Sequence, residues 1–179
     1  MVDNADTASE QQTLSLQQAL DLAVKHHTAG DLLRAESIYN QILVSEPDQP
    51  QALHLLGVIA HQGGHNDAGF ELIGKALAIK PDYAEAHNNL GNAFKALGKL
   101  DEAMSSYESA IKFKTRFAEA YINLASTLME VGRADEAIKN FQQALILLPD
   151  NAEVHNGLGV ALKKLGRSGE ALSHFETAL

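Results

Sequence analysis

Residues 84–117 read AEAHNNLGNAFKALGKLDEAMSSYESAIKFKTRF, and the order of small and apolar residues in this stretch decides the fold. His87, Leu90, Gly91 and Phe94 fall at positions i, i+3, i+4 and i+7, one face of a helix. After Gly98, the residues Ala103, Tyr107 and Ala110 recur every three or four positions and predict a second helix. Gly98 is placed to close the first helix in the left-handed conformation. Asp101 and Glu102 then set negative charge at the electropositive start of the second. The stretch therefore reads as a helical hairpin with a tight turn.

Working outward, the same features recur at one period. Gly30, Gly64, Gly98, Gly132 and Gly166 stand 34 residues apart, as do Leu22, Leu56, Leu90, Leu124 and Leu158. Pro47, Pro81 and Pro149 obey the period, with Thr115 in the slot of a further proline. Proline lacks the N–H needed to extend a helix, so each marks a boundary between units, and the following Asp82 is expected to accept from the free amides opening the next helix. The units are 16–49, 50–83, 84–117 and 118–151, with a partial fifth at 152–179.

Gly57, Gly91, Ala125 and Gly159 are expected to face Ala35, Gly69, Ala103, Ala137 and Ala171 across the hairpins, allowing close approach. Tyr39, Ile73, Tyr107, Phe141 and Phe175 fill the remaining space. One hairpin cannot bury both faces, so the units must stack. The fold expected is all-α: a right-handed α-α superhelix, or solenoid, of antiparallel hairpins. Residues 1–15 are polar and are expected to form a disordered lead-in.

The 34-residue period, the small-residue and aromatic pattern and the closing Pro-Asp resemble the tetratricopeptide repeat. The resemblance covers Leu16 to Leu179. The sequence departs from the family pattern at Thr115, which stands for proline, at Gly69, which stands for alanine, and at Leu53, His87 and His155, where tryptophan is frequent.

Composition narrows the function. Lys and Arg total 14 against 23 Asp and Glu, a net charge of -9, which disfavours nucleic acid and anionic membranes as partners. No cysteine is present, which excludes disulfides, thiolate metal sites and thiol nucleophiles. No apolar run approaches the roughly 18 to 20 residues of a membrane span, so no membrane insertion is expected. The N-terminus lacks the basic start and apolar run of a secretory signal, and a cytoplasmic location is expected.

Chemical motifs dissolve on inspection. His61 and His65 bracket the end of a predicted helix and do not converge as a zinc pair would, so neither a metal nor any other cofactor is expected. Asp101-Glu102 and Asp135-Glu136 are one repeat position seen twice, explained by helix-start electrostatics. Gly157-Leu158-Gly159 lies within a helix, follows no strand and lacks a third glycine, so it is read as packing. No Gly-x-Ser-x-Gly elbow occurs. No enzyme activity is expected of these residues.

The first helix of each unit is expected to line the concave face with the residues that vary between units. These are Glu85, Asn88, Asn92 and Lys95 in the third; Glu119, Ile122, Ser126, Met129 and Glu130 in the fourth; and Glu153, Asn156, Lys163 and Lys164 in the fifth. Asparagine donates and accepts, which suits bonding to the main chain of an extended peptide. His87-Asn88-Asn89-Leu90-Gly91-Asn92 and Tyr121-Ile122-Asn123-Leu124-Ala125 are similar to the superhelical repeats of O-linked N-acetylglucosamine transferases and SPINDLY-like proteins, which carry a concave asparagine ladder. That resemblance implies ladder positions at Asn89 and Asn123, and it is not matched at Asp21, Leu55 or Gly157.

The function expected is a scaffold that holds a partner protein or extended peptide in its concave groove. The alternative is the substrate-recruiting arm of a larger bacterial transferase, since residues 16–64 resemble N-terminal repeats of such proteins. The sequence stops at Ala178-Leu179 inside a helix with no polar cap, so a continuation of the chain or self-association through that end is expected.

Overall fold

A computed structural model describes residues 14–179, and the expected disordered lead-in lies, as far as Thr13, outside the described residues. Ten helices follow in order: α1 (Leu16–Thr28), α2 (Leu32–Ser45), α3 (Pro50–Gln62), α4 (Asn66–Ile79), α5 (Ala84–Ala96), α6 (Leu100–Phe113), α7 (Ala118–Glu130), α8 (Ala134–Leu147), α9 (Ala152–Lys164) and α10 (Ser168–Thr177). No strand occurs among the described residues. Odd-numbered helices are the first of each hairpin and even-numbered helices the second.

Glycine ends every first helix for a stereochemical reason. Gly30, Gly64, Gly98, Gly132 and Gly166 have φ of 77°, 82°, 71°, 82° and 76°, a region that L side chains enter only at a cost. This conformation lets Gly98 N–H donate to Lys95 O at 2.9 Å and Lys99 N–H to Phe94 O at 3.0 Å. The pair of bonds forms a Schellman closure, which satisfies carbonyls that the helix leaves unpaired. The same pair closes the other four hairpins.

The helix starts depart from expectation. Asp82 is not the cap of α5; Tyr83 holds that position and makes no side-chain cap bond. The capping position is the residue after Pro-Asp, and where it carries an amide it works: Gln49 accepts from Ala52 N–H at 3.0 Å, and Asn151 from Val154 N–H at 3.0 Å. Ser15 and Gln18 form a reciprocal capping box on α1.

Each helix packs on its chain neighbours, and α3 on α5, α5 on α7 and α7 on α9. This second set of contacts gathers the first helices along the inner side of the superhelix and leaves the second helices outside. Apolar burial gathers in two clusters along the stack: Leu20, Ala35, Tyr39, Leu56 and Ile59 near its start, and Tyr107, Leu124, Phe141, Leu158 and Ala171 towards its end.

Small residues act partly as expected. Gly57 and Gly69 face each other so closely that a Cβ on Gly69 would lie 2.9 Å from Gly57 O. At Gly91 and Gly159, however, an aromatic ring rather than a small residue occupies the space. A Cβ on Gly91 would lie 2.5 Å from the Tyr107 ring, and one on Gly159 2.6 Å from Phe175. Where Ala125 takes the glycine's place, Phe141 beds on Gly157 of the next unit instead, 2.7 Å from a built Cβ. The Gly157-Leu158-Gly159 motif is thus a seat for two rings.

Candidate functional site

The inner face is held together by a hydrogen-bonded polar seam that crosses from unit to unit. Asn123 Nδ2 donates to Asn88 Oδ1 at 3.0 Å and to Asn92 Oδ1 at 3.1 Å. One unit earlier, Asn89 Nδ2 lies 2.8 Å from His54 Nε2. Asn89 and Asn123 are equivalent positions, as are His54 and Asn88, so one bond type is repeated along the stack. Tyr107 Oη donates to Asn92 Oδ1 at 2.9 Å, and Asn88 Nδ2 to Glu119 Oε1 at 2.9 Å.

These bonds fix which way each amide points. Asn92 Oδ1 accepts twice, which turns its Nδ2 toward the groove. Asn123 spends its Nδ2 on two acceptors and presents Oδ1. Among the described residues no side-chain bond uses Asn92 Nδ2, Asn123 Oδ1 or Asn89 Oδ1, and all three residues are half-exposed. The face thus offers alternating donor and acceptor edges that are already oriented.

Asn88 differs from its neighbours: it is 1% exposed, with both ends of its amide engaged, so it supports the seam from beneath. Ile122 and Met129 are half-buried against the apolar core, and Ser126 is half-buried beside them. Lys95 pairs with Glu130 at 2.8 Å across the boundary between the third and fourth units, and Glu85 with Lys114 at 2.6 Å within the third. Glu119, Glu153, Asn156, Lys163 and Lys164 are exposed.

A cleft of about 130 Å³ opens beside the seam, lined by Val58, His61, Gln62, Ile73, Asn89 and Asn92. Sequence reasoning missed Val58, His61 and Gln62. The signal was available: they occupy in the second unit the same positions as Asn92, Lys95 and Ala96 in the third. His61 Nδ1 lies 2.7 Å from Asn66 Oδ1, while His65 is an exposed residue at the start of α4, so the two rings serve different ends.

Among the described residues, two buried side-chain polar atoms lack partners: Tyr39 Oη and His54 Nδ1. Repeat equivalence explains the first, because Val24 stands where Asn92 receives the Tyr107 hydroxyl. His54 is 2% exposed and packs edge-on to Tyr83 at 4.9 Å. Burial drives its pKa down to about 4, with nearby Glu85 opposing and His27 reinforcing the shift, so the ring is neutral near pH 7. No helix among the described residues is long and apolar enough to cross a membrane.

Comparison with known proteins agrees with this architecture. Tetratricopeptide repeat models match residues 20–84 and 116–179, and a TPR repeat model matches 74–98 and 91–132. No curated protein matches the chain in sequence. A crystal structure of MamA is 26% identical, with a TM-score of 0.76 over 88% of this chain and 92% of that one. A structure of MamA AMB-1 is 28% identical, with a TM-score of 0.73 over 91% and 89%. PilF of Pseudomonas aeruginosa, 18% identical, shares the fold with a TM-score of 0.85 over 91% of this chain and 74% of that one. The repeat fold and these neighbours support a protein-interaction scaffold. The chain belongs to the tetratricopeptide-repeat family.

Proposed function

We propose that this scaffold binds an extended peptide segment of a partner protein along its concave face, and that the asparagine seam reads the partner's main chain. The observation that carries the reading is the oriented, unspent edge of the seam: Asn92 Nδ2, Asn123 Oδ1 and Asn89 Oδ1. A peptide in extended conformation presents alternating N–H and C=O groups that such edges can pair. Internal bonds hold the amides in place beforehand, which lowers the ordering cost of binding. The exposed Asn156 and Lys163 extend the face toward the last unit.

The test must separate binding from folding, because removing several asparagines at once would break bonds that join the units. Asn92→Asp is suited to this: it keeps an oxygen that accepts from Tyr107 and Asn123, and it replaces the N–H donors with a second acceptor oxygen and one negative charge. A peptide selected from a displayed library against the wild-type chain should bind this variant about tenfold more weakly, with the melting temperature little changed. Equal affinity for both proteins would refute the assignment.

A further inference from the structure

One position of the second helices is aromatic in every unit but the second. Tyr39, Tyr107, Phe141 and Phe175 place a ring there, and the second unit places Ile73. Ile73 and Tyr107 start from equivalent seats: a Cβ built on Gly57 would lie 2.8 Å from Ile73 Cγ1, and one on Gly91 2.5 Å from the Tyr107 ring. The Tyr107 ring then continues to the inner face, where its Oη donates to Asn92 Oδ1 at 2.9 Å. Ile73 is too short to follow that path, and Val58 stands where Asn92 stands one unit later. The cleft of about 130 Å³ lined by Ile73, Val58, His61, Gln62, Asn89 and Asn92 opens at this place. Its presence follows from the missing ring.

We infer that this cleft receives one side chain of the bound peptide, an unsubstituted aromatic ring such as that of phenylalanine; the inference rests on the peptide-binding reading above. Size supports a single ring, because an apolar cavity of about 150 Å³ holds benzene. The polarity of the walls is graded. Ile73 is 1% exposed and forms the deepest wall, with the half-buried Val58 beside it. His61, Gln62, Asn89 and Asn92 are more exposed and stand nearer the mouth. No Asp, Glu, Lys or Arg lines the cleft, so a charged side chain entering it would lose its hydration without gaining a counter-charge. A tyrosine entering ring-first would carry its hydroxyl to Ile73 and Val58, neither of which offers a side-chain hydrogen-bond partner. The unspent edges of the seam, Asn92 Nδ2 and Asn89 Oδ1, flank the same mouth. There they meet the C=O and N–H of the residue whose ring is inserted.

The test uses a fragment too short to span the seam, N-acetyl-phenylalanine methylamide, so that the cleft is read separately from the groove. Titrated into the full chain, it should give saturable shifts of the Ile73 and Val58 methyl resonances, with a dissociation constant in the millimolar range. The alanine and tyrosine analogues should bind about tenfold more weakly, and the leucine analogue more weakly than phenylalanine. An Ile73→Tyr/Val58→Asn variant copies Tyr107 and Asn92, fills the cleft and should abolish the shifts at the side-chain amides of Gln62 and Asn89. If that variant melts below the parent, Ile73→Phe, which copies Phe141 and needs no hydroxyl partner, fills the same space. Absence of saturable shifts at Ile73 and Val58 would overturn the inference. So would binding that survives filling of the cleft, or a leucine or tyrosine analogue that binds as well as phenylalanine. These failures, with Asn92→Asp still weakening a selected peptide, would leave the seam reading standing. Ring capture in the cleft, with Asn92→Asp without effect on that peptide, would remove the seam reading and retain the cleft.

Discussion

Asn123 reaches back across a unit boundary to hydrogen-bond Asn88 at 3.0 Å, in the same relationship that Asn89 has to His54 one unit earlier. The seam has two consequences: it couples neighbouring units in a one-dimensional stack, and it orients the amide edges that face the groove.

Replacing Asn123 with leucine, the residue at the equivalent position 55, leaves the Asn88 carbonyl buried without that partner. The cost should be about 1 to 3 kcal/mol. Urea denaturation should show a lower midpoint with an unchanged slope if the stack still unfolds as one unit.

Tyr39 and Tyr107 occupy equivalent positions but should respond oppositely to loss of the hydroxyl. Tyr107 donates to Asn92 at 2.9 Å, so Tyr107→Phe should destabilise by about 1 kcal/mol. The Tyr39 hydroxyl is buried with no partner, so Tyr39→Phe should be neutral or stabilise by up to about 1 kcal/mol. Paired denaturation curves measure both.

His54 should confer acid sensitivity. Its pKa of about 4 in the folded chain lies below the usual histidine value of 6.5. The folded state therefore favours the neutral ring. Its stabilising contribution is complete above about pH 6.5 and is lost as pH falls toward 4, because the unfolded chain takes up the proton first. The loss should total about 2 to 3 kcal/mol. His54→Asn, which copies the equivalent Asn88, should abolish this component, and the difference between the two pH–stability curves isolates it from the carboxylates.

Glycines should divide by what they face. Gly91→Ala drives a methyl against the Tyr107 ring, 2.5 Å from the new carbon, and should cost about 1 to 3 kcal/mol through overpacking. Gly74 lies exposed within α4 with nothing within 4 Å of a built Cβ, so Gly74→Ala should stabilise by about 0.5 to 1 kcal/mol through helix propensity. Thermal melts of the two variants should move in opposite directions.

Much of the fold was legible because its determinants are local and periodic. A glycine that must adopt positive φ, an acidic first turn and an apolar face every three or four residues leave their mark whatever surrounds them, as at Gly98, Asp101 and Tyr107. The partners of particular side chains were less legible. That Tyr107 lies over Gly91, or that Phe141 shifts to Gly157 when Ala125 fills the usual seat, depends on the relative placement of neighbouring helices. The concave face shows the same limit. Its positions follow from helical spacing, but the burial of Asn88 and the spending of half of each amide on a neighbouring unit arise only when the units stack.

The most direct test of the proposed groove is a titration of the wild-type chain with a selected peptide, following the side-chain amide resonances of its asparagines. Main-chain recognition by the seam predicts saturable shifts at Asn92 and its neighbours Asn89 and Asn123, with Asn140 of α8, whose Nδ2 donates to Glu136 O within its own helix, unmoved. Saturable shifts at Asn140 and other residues of the second helices, with the seam silent, would contradict it.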